Sequence, residues 1–328
     1  MDKLNRKVFV AYSIPEAGLR LLEGFGVSVW GKESIPSKEE LLESAKDCEA
    51  IVTLLANKID DDFLSKLPKL KLVAQYAVGY DNVDVDAATR RGVAVTNTPG
   101  VLTETTADMA WALLMAAARR IGEGDKLVRN GGWRIAWTPL FMQGVDVYGK
   151  TIGIIGMGRI GLAVAKRATG FGMKILYHDN KEVAEASALG AKKVALDELL
   201  KESDFVSLNI ALTPETREML GERELALMKH TAVLVNTARG PVVDEKALVR
   251  ALKKKQIFAA GLDVFNKEPL PADNPLLKLD NVVLAPHAAS SSRETRDAMA
   301  VIVAQNVLDF FEGRKPRSCV NPEIYDKK

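Results

Sequence analysis

The chain holds three histidines, so few of its side chains can exchange a proton near neutral pH. His178 stands beside Asp179 at the end of an apolar run, and His230 lies in the turn Met228-Lys229-His230-Thr231. Both read as solvated or half-exposed residues. His287 differs: it follows Pro286 at the carboxyl end of the strand-like Val282-Val283-Leu284-Ala285 and precedes the small residues Ala288-Ala289-Ser290. Two more charges close strand-like runs, Arg239-Gly240 after residues 233–238 and Glu268-Pro269 after residues 259–265. An arginine in such a place can clamp a carboxylate and polarise the adjoining carbonyl. A carboxylate beside an imidazole favours the ring's charged form. Arg239, Glu268 and His287 therefore make a candidate set of anchor, orienter and acid. They lie at the strand ends where open α/β sheets take their ligands.

A second constellation lies upstream. Thr151-Ile152-Gly153-Ile154-Ile155 reads as a buried strand and feeds directly into Gly156-Met157-Gly158-Arg159-Ile160-Gly161, after which Leu162-Ala163-Val164-Ala165-Lys166-Arg167 has a helical pattern. The first glycine makes a tight turn, and the second lets the backbone approach a pyrophosphate. The third lets the helix pack on the strand, with the free N–H groups of its first turn, from Arg159 and Ile160 onward, facing the phosphates. Asp179 ends the run Lys174-Ile175-Leu176-Tyr177-His178, 18 residues past Gly161, where a carboxylate takes the adenosine ribose hydroxyls. Such a carboxylate repels a 2′-phosphate, so NAD is expected as cofactor; Lys181 nearby leaves NADP open.

These residues need a scaffold of alternating strands and helices. Val- and Ile-rich runs at 7–12, 27–30, 50–55, 70–76 and 93–96 predict one open parallel sheet, with helices at 15–25, 37–47 and 61–67 between them. Thr98-Pro99-Gly100 breaks the pattern. A long helix is expected over 103–120, with 129 as its alternative end, and residues 131–139 form an irregular aromatic loop. Strands at 151–155, 174–178, 192–195, 205–210, 232–237, 257–262 and 282–285 complete a dinucleotide-binding layout. A last helix over 292–312 has no strand after it and is expected to return to the first domain. The expected domains are 1–99 plus 288–328, and 100–287.

Composition narrows the alternatives. The 328 residues are too many for one ordinary core. They are 47% hydrophobic and 27% charged, with a net charge of +2 from 45 basic and 43 acidic residues. The two signs are interspersed, so no basic stripe marks a nucleic-acid partner. Cys48 and Cys319 have no metal or disulfide spacing, which fits a reducing compartment. The apolar helical stretch at 109–118 is about half a membrane span. The amino-terminal residues lack the pattern of a secretory signal. A cytoplasmic protein with no metal, membrane or nucleic-acid partner is the expectation.

Taken together, the turn at Gly156, Asn236-Thr237-Ala238-Arg239-Gly240, Asp263-Val264-Phe265 with Glu268-Pro269, and Pro286-His287 resemble the D-isomer-specific 2-hydroxyacid dehydrogenases. The resemblance extends to Val78-Gly79-Tyr80-Asp81-Asn82-Val83-Asp84. Within that family the chain is most similar to glyoxylate/hydroxypyruvate reductases, through 101–108 and 133–139. The resemblance implies a Rossmann-type cofactor domain inserted into a flavodoxin-like substrate domain. It implies His287 as acid/base, Glu268 as its partner and Arg239 as substrate anchor, acting on a small 2-oxo or 2-hydroxy acid. It assigns the substrate carboxylate to the amides of Val78 and Gly79, the nicotinamide end to Thr106, Thr237, Ala238 and Asp263, and a further cofactor contact to Ala289. It also implies a homodimer built on an arm at about 103–145. Trp137 then either reaches the partner subunit's substrate site or serves dimer packing alone.

The chain departs from the family pattern twice. Asn209-Ile210-Ala211-Leu212-Thr213 stands where the family reads His-x-Pro-Leu-Thr. Asp179-Asn180 replaces the Ser-Arg or Gly-Arg pair of NADP-preferring reductases, so body and adenosine pocket point to different relatives. Rival readings are a phosphoglycerate or phosphite dehydrogenase and a nicotinamide-sensing binding protein on the same fold. No residues remain for a carboxyl-terminal regulatory domain, and the phosphite-specific lysine is missing at Ala77 or Val78.

Overall fold

A computed structural model describes residues 3–326. The chain forms two compact units. One comprises the residues up to Leu102 together with those from Ser291 onward, and the other spans Thr103–Ser290. The crossings thus fall three residues beyond the positions expected from Pro99 and His287.

In the first unit, β1 (Lys7–Val10), β2 (Gly26–Val29), β3 (Ala50–Thr53), β4 (Leu72–Gln75) and β5 (Ala94–Thr96) form a parallel sheet in the order β2-β1-β3-β4-β5. This is the flavodoxin-like order, with a switch of direction between β1 and β3. β3 and β4 are buried along their whole length, as the unbroken apolar runs require. The short helix Val85–Arg90 was not anticipated. Six residues are too few to show a period, yet the Asp84 carboxylate accepts from the Ala87 amide and caps it. The helix Arg293–Phe311 matches the expected last helix and starts at Ser292, whose hydroxyl accepts from Thr295 N.

The second unit carries β6 (Thr151–Ile155), β7 (Lys174–His178), β8 (Lys192–Lys193), β9 (Phe205–Leu208), β10 (Val233–Asn236), β11 (Ala259–Leu262) and β12 (Val282–Leu284). They are parallel, in the order β12-β11-β10-β9-β6-β7-β8. Alternate residues sort to two cores. Ile152, Ile154, Phe205, Val233 and Val235 join the buried side of the helix Thr103–Ala118, while Leu176, Val206, Leu208, Leu234 and Leu262 line the other face. The order runs outward in both directions from β6, leaving a crevice between the carboxyl ends of β6 and β9.

The helix expected over 103–120 ends at Ala118, and the stretch up to 129 is a separate helix, not its continuation. Arg120 takes a left-handed φ of 54°, which ends the first, and Ile121–Arg129 follows as the second. Among the described residues no helix is long and apolar enough to cross a membrane.

Candidate active site

At the carboxyl end of β6 the chain turns at Gly156 with φ +89°, a conformation that L side chains rarely adopt. A Cβ there would lie 2.7 Å from the carbonyl oxygen of Asn209, and one on Gly161 would lie 2.1 Å from the carbonyl oxygen of Gly156. The turn can therefore close only with glycine at both places. Gly158 then opens the twelve-residue helix Arg159–Gly170 without any side-chain cap, so the amides of its first turn are left for a ligand. Arg159 is exposed and Ile160 half-buried in that turn.

At the end of β7, Asp179 accepts from Met157 N at 2.8 Å and from Lys181 N at 3.1 Å, which fixes its carboxylate beside the turn. Two buried acceptors at neighbouring strand ends, Thr237 Oγ1 and Asn209 Oδ1, have no hydrogen-bond partner among the described residues. Thr106 is buried in the helix Thr103–Ala118. A glycine cradle, an uncapped helix start, a fixed carboxylate and unsatisfied buried oxygens together fit a dinucleotide.

The charged set gathers at the ends of β10, β11 and β12. His287 has φ +53°, and its Nδ1 lies 2.6 Å from Glu268 Oε2. The other carboxylate oxygen of Glu268 accepts from the Phe265 amide at 2.9 Å. Burial by itself would raise the Glu268 carboxyl. The bond from His287, the Phe265 amide and the Arg239 guanidinium outweigh it and hold the group below the ordinary carboxylate range. An ionised carboxylate has no proton to give, so His287 Nδ1 must be the donor in this pair.

Arg239 follows β10 in a loop shaped by Asn236, whose side chain donates to the Arg239 carbonyl and accepts from Ala238 N. Its own guanidinium donates to the Ala238 carbonyl at 2.8 Å. Gly240 presses this loop onto the next, since a Cβ there would meet the Phe265 carbonyl carbon at 2.0 Å. Asn236, Gly240 and Phe265 stand in the motifs that carry the family resemblance, but their part in shaping the Arg239 loop could not be read from the sequence.

Asp263 is fully buried, and its two carboxylate oxygens accept from Ala288 N at 2.7 Å and Ala289 N at 2.8 Å. Its backbone carbonyl takes the His287 amide at 2.8 Å. Burial raises its carboxyl, against the pull of those two amides. Asp263 thus holds the turn carrying His287, with both oxygens already engaged. The remaining histidines behave as expected: His178 Nδ1 meets the Val194 carbonyl, and His230 is exposed. Val78 and Gly79 lie half-buried after β4 in the first unit, and Trp137 is 76% exposed.

Residues 111–289 match the family model described as D-isomer specific 2-hydroxyacid dehydrogenase, NAD binding domain. A glyoxylate reductase of Korarchaeum cryptofilum is 59% identical, covering 98% of this chain and 97% of that protein. The chain belongs to this family. Among solved structures, a glyoxylate reductase from Paecilomyes thermophila is 35% identical with a TM-score of 0.86, covering 97% of this chain and 99% of that one. An NADPH-dependent glyoxylate/hydroxypyruvate reductase from Sinorhizobium meliloti, in complex with NADP and malonate, is 33% identical with a TM-score of 0.85, covering 97% of each chain. The dehydrogenase is accordingly an NAD(P)-dependent oxidoreductase that moves a hydride to or from C2 of a small 2-oxo or 2-hydroxy acid.

Proposed function

We propose that this dehydrogenase reduces glyoxylate, with hydroxypyruvate as a second substrate, and that it prefers NADH to NADPH. The 2.6 Å contact of His287 with an ionised Glu268 carries the reading. With Nδ1 bound to the carboxylate, Nε2 is the nitrogen that hands a proton to the carbonyl oxygen of the substrate. Bound nicotinamide supplies the hydride. Arg239 steadies the negative charge that develops on that oxygen, and Glu268 keeps the ring oriented and compensates its positive charge. Proton donation of this kind contributes about 10²–10⁴-fold to the rate.

Gly156, Gly158 and Gly161, with the amides near Arg159 and Ile160, hold the pyrophosphate; Asp179 takes the ribose hydroxyls. Thr106, Thr237 and Ala238 would line the nicotinamide end, Ala289 would contact the cofactor, and Asp263 would act there through the turn that it clamps. The carboxylate of the acid is assigned to the amides of Val78 and Gly79. The test is a panel of glyoxylate, hydroxypyruvate, pyruvate and longer 2-oxo acids, each with NADH and NADPH. Glyoxylate with NADH should give the highest kcat/KM. Tight NADH binding without turnover of any acid would instead point to a nicotinamide sensor.

The same reading makes the enzyme a cytoplasmic homodimer. Ile121, Val128, Trp133, Ile135, Trp137, Leu140 and Phe141 are large, apolar and 45–81% exposed along one segment, which favours cover by a second copy. The double variant Trp137→Glu/Leu140→Glu should sediment as a monomer, and a variant that remains dimeric would count against this face.

A further inference from the structure

We infer that Asn97 is a positioning residue of the carboxylate site, acting through the carbonyl of Val78 to aim the amide of Gly79. The inference rests on the proposed use of the Val78 and Gly79 amides by the substrate, and concerns what fixes them. In a planar trans peptide the carbonyl of one residue and the N–H of the next point in opposite directions. The Ala77 carbonyl accepts from Thr98 N at 2.9 Å, which turns the Val78 N–H the other way. The Val78 carbonyl accepts from Asn97 Nδ2 at 2.8 Å, which does the same for Gly79. Among the described residues no acceptor meets either amide. Two successive peptide planes are therefore locked by their oxygens while their donors stay available, and the second lock is a single side chain.

Asn97 is itself held from the far end of the chain. Its carbonyl accepts from the Ser318 hydroxyl at 2.8 Å and from Asn306 Nδ2 at 3.3 Å, and its amide donates to the Ser318 carbonyl. Asn306 is buried in the helix Arg293–Phe311 and also donates to the Ser318 hydroxyl at 2.8 Å. A path of hydrogen bonds thus runs from that helix through Asn97 to the peptide that presents Gly79. A donor aimed in advance loses less on binding an anion than one that must first be ordered.

The experiment compares the full-length enzyme with Asn97→Ala and with Asn97→Asp, which keeps the volume and removes the donor. KM for glyoxylate and the inhibition constant of oxamate should both rise roughly tenfold to a hundredfold, the effect of one charge-assisted hydrogen bond. kcat should stay within about threefold, and the NADH Kd should not move. Asn97→His can place an Nδ1–H near the position of Asn97 Nδ2 and should recover most of the lost affinity. An unchanged KM in folded Asn97→Asp, or kcat and thermal midpoint falling together without the KM split, overturns the assignment. Amide spectra of the 15N-labelled protein with NADH and oxamate separate the two levels. If the Val78 and Gly79 amides do not shift in the unaltered protein, the carboxylate reading fails. If they shift there and shift equally in Asn97→Asp, only the role of Asn97 fails.

Discussion

Replacing Glu268 with glutamine removes one charge and almost no volume, which makes it the sharpest probe of the acid set. The carboxylate has two oxygens and uses both, one on Phe265 N at 2.9 Å and one on His287 Nδ1 at 2.6 Å. Glutamine has a single acceptor and must choose. If its oxygen stays on Phe265, its NH2 group faces Nδ1, which must then accept, and the ring cannot carry its second proton in that position. If it turns toward His287, the Phe265 amide loses its partner. A hydrogen bond to a charged group contributes about 1.5–3 kcal/mol. The side chains of His287 and Glu268 are 31% and 34% exposed, so the lower part of that range applies.

The expected result is a fall of about 10–30-fold in kcat/KM for glyoxylate reduction at neutral pH, with the NADH Kd unchanged. The pH dependence of stability gives an independent reading. Because the folded Glu268 carboxyl lies below its ordinary value, the unfolded chain takes up the proton first. Its share of stability is present above the ordinary carboxylate pKa and is lost as pH falls through the lowered one. The gap in thermal midpoint between the native protein and Glu268→Gln should therefore close as pH drops through that window. A kcat/KM within twofold of the native value, together with a gap that ignores pH, would rule out this role of Glu268.

Two further substitutions test the cofactor end. Asp179→Ala frees the Met157 amide and removes the charge that repels a 2′-phosphate, so the NADH/NADPH ratio of kcat/KM should fall about tenfold or more. An unchanged ratio would detach Asp179 from the adenosine ribose. Gly161→Ala places a methyl 2.1 Å from the Gly156 carbonyl oxygen, and overpacking of this kind costs about 1–3 kcal/mol. Calorimetry should show a lower thermal midpoint and fluorescence titration a weakened NADH complex. Normal values for both would contradict the close strand–helix contact.

The two sheets were legible because buried parallel strands announce themselves as short Val- and Ile-rich runs, and every expected run became a strand. Their ends were not. The run expected over 205–210 stops as a strand at Leu208, and Asn209 and Ile210 lie against the Gly156 turn, a proximity across more than fifty residues. Of the two helix ends left open at 120 and 129, the left-handed φ of 54° at Arg120 selects the first. Arg239, Glu268 and His287 could be singled out because each lies in the loop after a strand-like run. That Asp263 spends both oxygens on the His287 turn could not be read, since the partners are backbone amides that any residues would supply. The bond from Asn97 to the Val78 carbonyl was hidden likewise, since that partner too is backbone.

The proposed role of His287 as proton donor can be checked by pre-steady-state reduction of glyoxylate by NADH in His287→Ala. The chemical step should slow by about 10²–10⁴-fold, with NADH bound as tightly as before. A step within a few-fold of the native rate would contradict it.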